Sequence, residues 1–529
     1  SDLLERVMES ALLQAVFLPL LLSPIAYILG RKMGPTVTTW FTFGVLLYCT
    51  FLVIQVALSG SYEEHYVWTK LFGEFGFKLD GLAIPFAVII YVLSTVLALY
   101  SKPYMMHKFH ELYEEHVHHS HSGSGQTTAI VESSEMNSYV KNQSGLYFAL
   151  YLVFAMGMLG TVLSTNLIEF YVFFEVMLIP GFFLVAFYGD GPRRRISLMF
   201  LFWTHVGAVV LLLGFLTIGL SIGSFDFTAI SEAKIPQNIL MLAAIAIVVG
   251  LGVKLAAFIF HIWLPYVHGA APTPISALLS PAMIGIGAYG IFRLIIEFLP
   301  NTYAEMAIWL HIWGLATMIY GGAMALMQDD VKRLLAYSSV SQMGYILFGI
   351  GSYSTLGLAG AEFMYVTHGL GKALLFMTAG ILIVQCGTRS MTKLGGLASK
   401  MPITAVCGVI GALTIAGVPP TSGFMGEWTL FAGALDTAVK GHTTGGDTLR
   451  LVAFGLGLVA TVITMSYMLW MLKRVFFGKL PEHLSHVKEA SWYMTAPMMV
   501  LAGFTIIVGL YPDIFFKDIL PYMKGVLGA

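Results

Sequence analysis

Of 529 residues, 57% are hydrophobic and 11% charged, and the mean hydropathy is +0.80, whereas an ordinary soluble domain carries roughly 25% charged residues. The 28 basic and 29 acidic side chains almost cancel, so nucleic acid is not an expected partner and the placement of each charge carries the information. Three cysteines, Cys49, Cys386 and Cys407, stand singly among apolar neighbours, which implies no disulfide framework, haem or iron–sulfur site.

Apolar runs of about twenty residues follow one another along the chain, the signature of an all-α polytopic membrane protein. About fourteen spans are expected, beginning near residues 12, 37, 82, 146, 167, 196, 238, 274, 304, 333, 356, 402, 450 and 493. The opening Ser1 to Arg6 has neither the basic region nor the small-residue cleavage site of a signal peptide, so the first span is expected to stay. Basic residues collect in cytoplasmic loops. Arg31-Lys32, Lys102 to Lys108, Arg193 to Arg195, Lys332-Arg333, Arg389 to Lys400 and Lys473-Arg474 fall on alternate loops, which places those loops inside and both termini outside. The loops Ser59 to Leu79 and Lys440 to Asp447 are assigned outside.

The segments expected are a three-helix N-terminal part (1–100), a polar loop (101–145), two five-helix repeats (146–300 and 301–477) and a C-terminal helix (478–529). In the polar loop His107, His110, His116, His118, His119 and His121 crowd together. No fixed ligand geometry is visible there, so we expect a partly disordered, solvated, charge-mixed insertion and no metal site. The repeats follow from two breaks. His261-Ile-Trp-Leu-Pro265 interrupts the seventh span and Gly417-Val-Pro-Pro-Thr-Ser-Gly423 the twelfth. An offset of five spans inverts topology, and broken helices in inverted repeats mark ion pathways near the bilayer middle.

Ionisable side chains at bilayer depth are functional candidates by default, an ammonium there costing roughly 2.5–3.5 kcal/mol or more. Lys254 interrupts the apolar run of the seventh span, which continues through Phe260, and Glu175 sits mid-way along the fifth. Burial favours the neutral form of either group and pairing the charged forms, so a Glu175–Lys254 pair that opens and closes would be a proton switch. The alternative is a static pair that fixes helix packing. His368 and Lys372 are four apart in the eleventh span, on one helix face, and read as two stations of one relay. Glu427 follows the second break and is expected to correspond roughly to Lys254 in the other repeat. His205, His261 and His311 are further relay candidates, though His205 and His311 read more simply as hydrogen-bonded core or interface histidines. Asp329, Asp330, Lys332 and Arg333 are read as capping and orienting the tenth span. Glu297 and Glu305 are expected to be solvated.

FFEVMLIPGFFL around Glu175, KLAAFIFHIWLPYVHGAAPTPISALL from Lys254, QDDVKRLLAYSSVSQMGYILFGI from Gln328, HGLGKALLF from His368 and GVPPTSGFMGEW from Gly417 together resemble the antiporter-like membrane subunits of respiratory complex I. That family includes Mrp-type sodium/proton antiporter subunits and membrane-bound hydrogenase subunits. The chain is most similar to the M-type branch, since Glu427 stands where L-type, N-type and Mrp relatives generally carry lysine. It also ends shortly after its expected fourteenth span, without the L-type lateral helix.

The resemblance implies proton translocation in a donor:quinone oxidoreductase, with Glu175, Lys254, His368 and Glu427 in the relay. It implies L-, N- and K-type neighbours, with flavin, iron–sulfur centres and quinone in partner subunits and no cofactor in this chain. The setting implied is an energy-converting membrane, either a prokaryotic plasma membrane or an organellar inner membrane. Two positions depart from the family pattern. Gly285 replaces the bridging lysine of the eighth span and Gln342 the histidine often found in the tenth, so the central relay is expected to run through other groups. Protons would enter from inside towards Lys254, pass His368 and Lys372, and leave near Glu427. The rival readings are an Mrp-type sodium/proton antiporter subunit and a non-conducting scaffold subunit.

Overall fold

The computed structural model describes residues 2–120, 129–440 and 446–528. The N-terminal part comprises α1 (Asp2–Glu9), α2 (Ala11–Met33), α3 (Pro35–Leu58), an antiparallel hairpin of β1 (Tyr62–Thr69) and β2 (Gly73–Leu79), and α4 (Ala83–Ser120). Then follow α5 (Ala129–Leu163), α6 (Leu167–Tyr188), α7 (Arg193–Ile222), α8 (Phe227–Glu232), α9 (Gln237–Leu255) and α10 (Trp263–Ala270). The eighth span runs as α11 (Thr273–Leu278), a π turn, α12 (Ile286–Gly290) and a second π turn (Ile291–Glu297). The remainder is α13 (Pro300–Leu326), α14 (Val331–Ile350), α15 (Thr355–Cys386), α16 (Pro402–Ala416), α17 (Ser422–Lys440), α18 (Gly446–Phe476), α19 (Trp492–Leu510) and α20 (Asp513–Leu527).

Among the described residues, twelve helices are long and apolar enough to cross a membrane, so the expected fourteen are not all met by length and composition. The two left over are α14, which carries Lys332, Arg333, three serines and Gln342, and the twelfth span, which its break divides into α16 and α17. The stretch 101–145, expected as a loop, is largely helical: α4 continues to Ser120 and α5 begins at Ala129. From Tyr104 to Ser120 no glycine or proline interrupts it, and mixed charges are compatible with a solvated helix. His121 lies outside the described residues.

The segment Ser59 to Leu79 forms the β-hairpin rather than an irregular loop. Glu64 of β1 accepts the amides of Leu12 (2.7 Å) and Leu13 (3.2 Å) at the start of α2, and the Gly76 amide donates to Glu169 of α6 at 3.0 Å. The hairpin thereby ties two spans together at one end of the molecule.

Ion pairs join the opposite end. Asp190 contacts Lys108 and lies 3.6 Å from Arg389, which binds Asp330 at 2.7 Å, while Arg474 binds Asp329 at 2.9 Å. These residues come from the loops after the third, fifth, ninth, eleventh and thirteenth spans, the ones assigned inside. Asp330 caps α14 through the amides of Lys332 (2.9 Å) and Arg333 (3.4 Å), satisfying donors that a helix start leaves free. At the centre stands α15, buried on all sides from Gly357 to Leu382.

Candidate functional site

The two breaks are built alike. At the first, Ala256 is left-handed (φ 61°) and the Ala257 amide returns to the Gly252 carbonyl at 3.1 Å. At the second, Gly417 is left-handed (φ 78°) and the Val418 amide returns to the Leu413 carbonyl at 3.0 Å. Both are the closing turn that satisfies the last carbonyls of a helix, placed here inside a span. Side chains hold the backbone on both sides of the first break: Trp263 donates to the Val253 carbonyl at 3.0 Å and Trp313 to the Phe258 carbonyl at 2.9 Å.

Lys254 lies two residues before its left-handed residue and is 1% exposed. Its ammonium has no hydrogen-bond partner and sits 4.7 Å from the centre of the Phe174 ring. The expected ion pair with Glu175 is not formed. Glu175 instead contacts Nδ1 of His205 at 3.0 Å, while remaining within electrostatic reach of Lys254. The reason is geometric. His205 stands on the face of α7 turned away from the core, between the exposed Phe202 and Val206, and draws Glu175 sideways off the lysine. His205 is thus a hydrogen-bonded histidine on the outward face of α7, as the interface reading expected, and it is not buried in the core.

Glu427 does not occupy the register of Lys254. It lies ten residues after Gly417, and its side chain folds back so that a Cβ on Gly417 would overlap its carboxyl group. The two halves thus bring opposite charges to equivalent breaks from opposite directions along the chain. On α15, His368 is buried with both ring nitrogens unpartnered, and Lys372 donates to the Leu335 carbonyl at 3.3 Å. His311 donates Nδ1–H to the Phe348 carbonyl (2.7 Å) and stacks on that ring (3.9 Å), as a core histidine does. His261 packs between Phe258 and Tyr320, with ring centres at 5.8 and 4.7 Å.

The space at Gly285 is taken. A Cβ there would fall into the ring of Tyr365, which stacks on Phe86 at 4.1 Å and donates to the Ala282 carbonyl at 3.0 Å. The Tyr365 ring therefore fills the place that a side chain at position 285 would take.

Four further groups escaped the sequence reading. His268 in α10 is fully buried with neither ring nitrogen partnered, and it stacks on Phe376 of α15. Glu362, on the same helix as His368, is fully buried with both carboxyl oxygens unpartnered. Arg293 forks onto Asp80 with two bonds of 2.8 Å and reaches Glu297 at 3.1 Å, so Glu297 is paired instead of merely solvated. A lone histidine or acid in an apolar run was the available signal for the first two. The Arg293–Asp80 pair spans 213 residues, and no local pattern announces it.

On the inner side, a cavity of about 740 Å3 is lined by Lys108, Glu111, Glu115, Asp190, Arg193 and Arg194. Beside it, His107 and His110 line another of about 530 Å3. Among the described residues no three His, Cys, Asp or Glu side chains gather as a metal site.

Residues 164–442 match the transmembrane family described as NADH:quinone oxidoreductase/Mrp antiporter. NADH-quinone oxidoreductase subunit M of Rickettsia prowazekii is 30% identical over 470 residues, covering 88% of this chain and 86% of that protein. A chain of respiratory complex I from Thermus thermophilus superposes with a TM-score of 0.82, covering 98% of this chain and 99% of that one, at 22% identity. A chain of the Mrp complex from a Dietzia species gives 0.81 at 25% identity, covering 98% of this chain and 52% of that one.

Proposed function

The chain belongs to the NADH:quinone oxidoreductase/Mrp antiporter transmembrane family, and within it we propose that this chain is the M-type, proton-translocating member of a complex I-type donor:quinone oxidoreductase. It is an integral membrane subunit of a multi-subunit complex. Its proposed neighbours are L-, N- and K-type subunits, with flavin, iron–sulfur centres and quinone held by other chains.

The observation that carries this reading is Lys254, a buried ammonium at a helix break with no partner, beside a carboxylate held off by His205. A carboxylate next to an ammonium favours its charged form, whereas a buried ammonium without counter-charge sheds its proton more readily. Moving Glu175 between His205 and Lys254 would load and unload the lysine. Protons would reach it from the acidic and basic cavity on the inner side, be handed past the Tyr365 hydroxyl to His368 and Lys372, and leave near Glu427. Charge shifts in neighbouring subunits would drive the swing of Glu175.

The test is proton uptake by the assembled complex in sealed vesicles with Glu175→Gln. Fewer protons per electron at native complex content is the expected outcome, and an unchanged ratio would contradict it. One observation favours a second reading: the Tyr365 ring in the place of the eighth-span lysine suits a non-conducting scaffold, which would leave the ratio unchanged in every relay variant. The Mrp side of the family would instead show sodium-dependent transport.

A further inference from the structure

We propose that Glu362 and the ion cluster around Arg293 form an outward proton passage in this chain, leading from His368 to the outer surface separately from Glu427. The proposal rests on the proton-translocating reading above.

Glu362 lies six residues from His368 on α15, towards the end of that helix that meets the outer surface. At 1.5 Å per residue this is a rise of roughly 9 Å, which a short file of waters can bridge. Buried carboxyl groups are normally hydrogen-bonded. Glu362 has two unpartnered oxygens and no exposure. At membrane depth such a group is a transport position by default.

Its neighbours lead outward. On either side of Glu362, Phe363 stacks on Phe516 of α20 at 4.4 Å and Tyr365 on Phe86 of α4 at 4.1 Å, so the carboxyl lies where α15 meets those helices. The charges within its reach are Asp80, Arg293 and Asp518. The Tyr522 hydroxyl, also buried without a partner, belongs to the same cluster, its ring 6.0 Å from the Arg293 guanidinium. Arg293 holds Asp80 by a two-bond fork and reaches both Glu297 carboxyl oxygens from one nitrogen, at 3.3 and 3.1 Å. Glu297 faces a cavity of about 170 Å3, lined also by Glu63, His65, Glu74 and Lys78 beneath the hairpin.

Each step moves one proton. The His368 imidazolium gives it to the Glu362 carboxylate, Glu362 passes it to the Glu297 carboxylate, and Glu297 releases it to water in the outer cavity. Arg293 stays charged throughout and keeps the acids in place.

The experiment compares native complex, Glu362→Gln, Glu362→Asp and Lys254→Ala in sealed vesicles, reading protons moved per electron at equal complex content. The passage predicts that Glu362→Gln loses part of the pumping that Lys254→Ala loses, because the exit near Glu427 stays open, and that Glu362→Asp recovers it, since aspartate restores a proton carrier but not the native packing. Native pumping by Glu362→Gln beside an impaired Lys254→Ala overturns the passage and leaves the functional reading intact. Native pumping by both overturns the functional reading and the passage with it. Should Glu362→Gln fail to assemble, Glu297→Gln at the outer end gives the same readout, with loss supporting the passage and native pumping overturning it.

Discussion

Lys254, Glu175 and His205 illustrate what a single residue reveals before folding. A lysine in an apolar run is visible as an anomaly, and so is the glutamate two spans earlier. Which partner the glutamate holds is decided by how α6 and α7 turn against each other, and that placed His205 at 3.0 Å instead of Lys254. Gly285 shows the reverse. Its smallness is plain in the sequence, while the ring that fills the gap comes from 80 residues further on. Overpacking of this kind costs roughly 1–3 kcal/mol. Gly285→Ala should therefore lower the thermal midpoint of the solubilised complex, and adding Tyr365→Ala should recover part of the loss, because the two side chains compete for one space. Additive losses in the double variant would contradict the overlap. Glu362, an acid in an apolar run, is legible by the same rule as Lys254, six residues before the motif that begins at His368.

At the scale of elements, both breaks could be placed from proline, glycine and histidine in apolar runs; the second lies at Gly417 as expected, while the first opens at Ala256, five residues before the expected His261, and Trp263 to Pro265 already belong to α10. Their internal register could not. Glu427 approaches its break from the far side because α17 folds back along Gly417, a geometry set by packing and invisible to an offset count. Gly417→Ala should push the Glu427 carboxyl away and strain a left-handed position, reducing pumping; Ala256→Gly relieves a left-handed alanine and should stabilise by about 1 kcal/mol or less. Equal effects from the two substitutions would argue against the asymmetry. The hairpin was not expected because Ser59 to Leu79, lying between two long apolar spans, reads as a connector. The helical continuation of α4 was missed for a similar reason: its charges suggested solvent, and solvent does not preclude a helix.

For the whole molecule, sidedness was readable from the basic loops, and the ion pairs among Lys108, Asp190, Arg389, Asp330, Asp329 and Arg474 gather those loops at one end. The other end is fastened by Asp80 and Arg293. Burial alone would raise the Asp80 carboxyl, but the Arg293 guanidinium outweighs it and holds it at about 2 against an ordinary 3.8. Between those values the folded chain binds fewer protons here than the unfolded one. The contribution, roughly 2 kcal/mol, is therefore complete above about pH 4 and is lost as the pH falls towards about 2. The stability gap between the native chain and Asp80→Asn should narrow over that window in thermal melts, and a gap independent of pH would contradict the assignment.

Charge movement through this chain is the property most directly measured. Proton pumping by the assembled complex in sealed vesicles, with redox turnover followed in parallel, should be compared for the native chain, Lys254→Ala and Glu427→Gln. A fall in protons per electron in both variants, at native complex content, is the predicted result. An unchanged ratio in both would contradict translocation through this chain and leave its buried charges to structure alone.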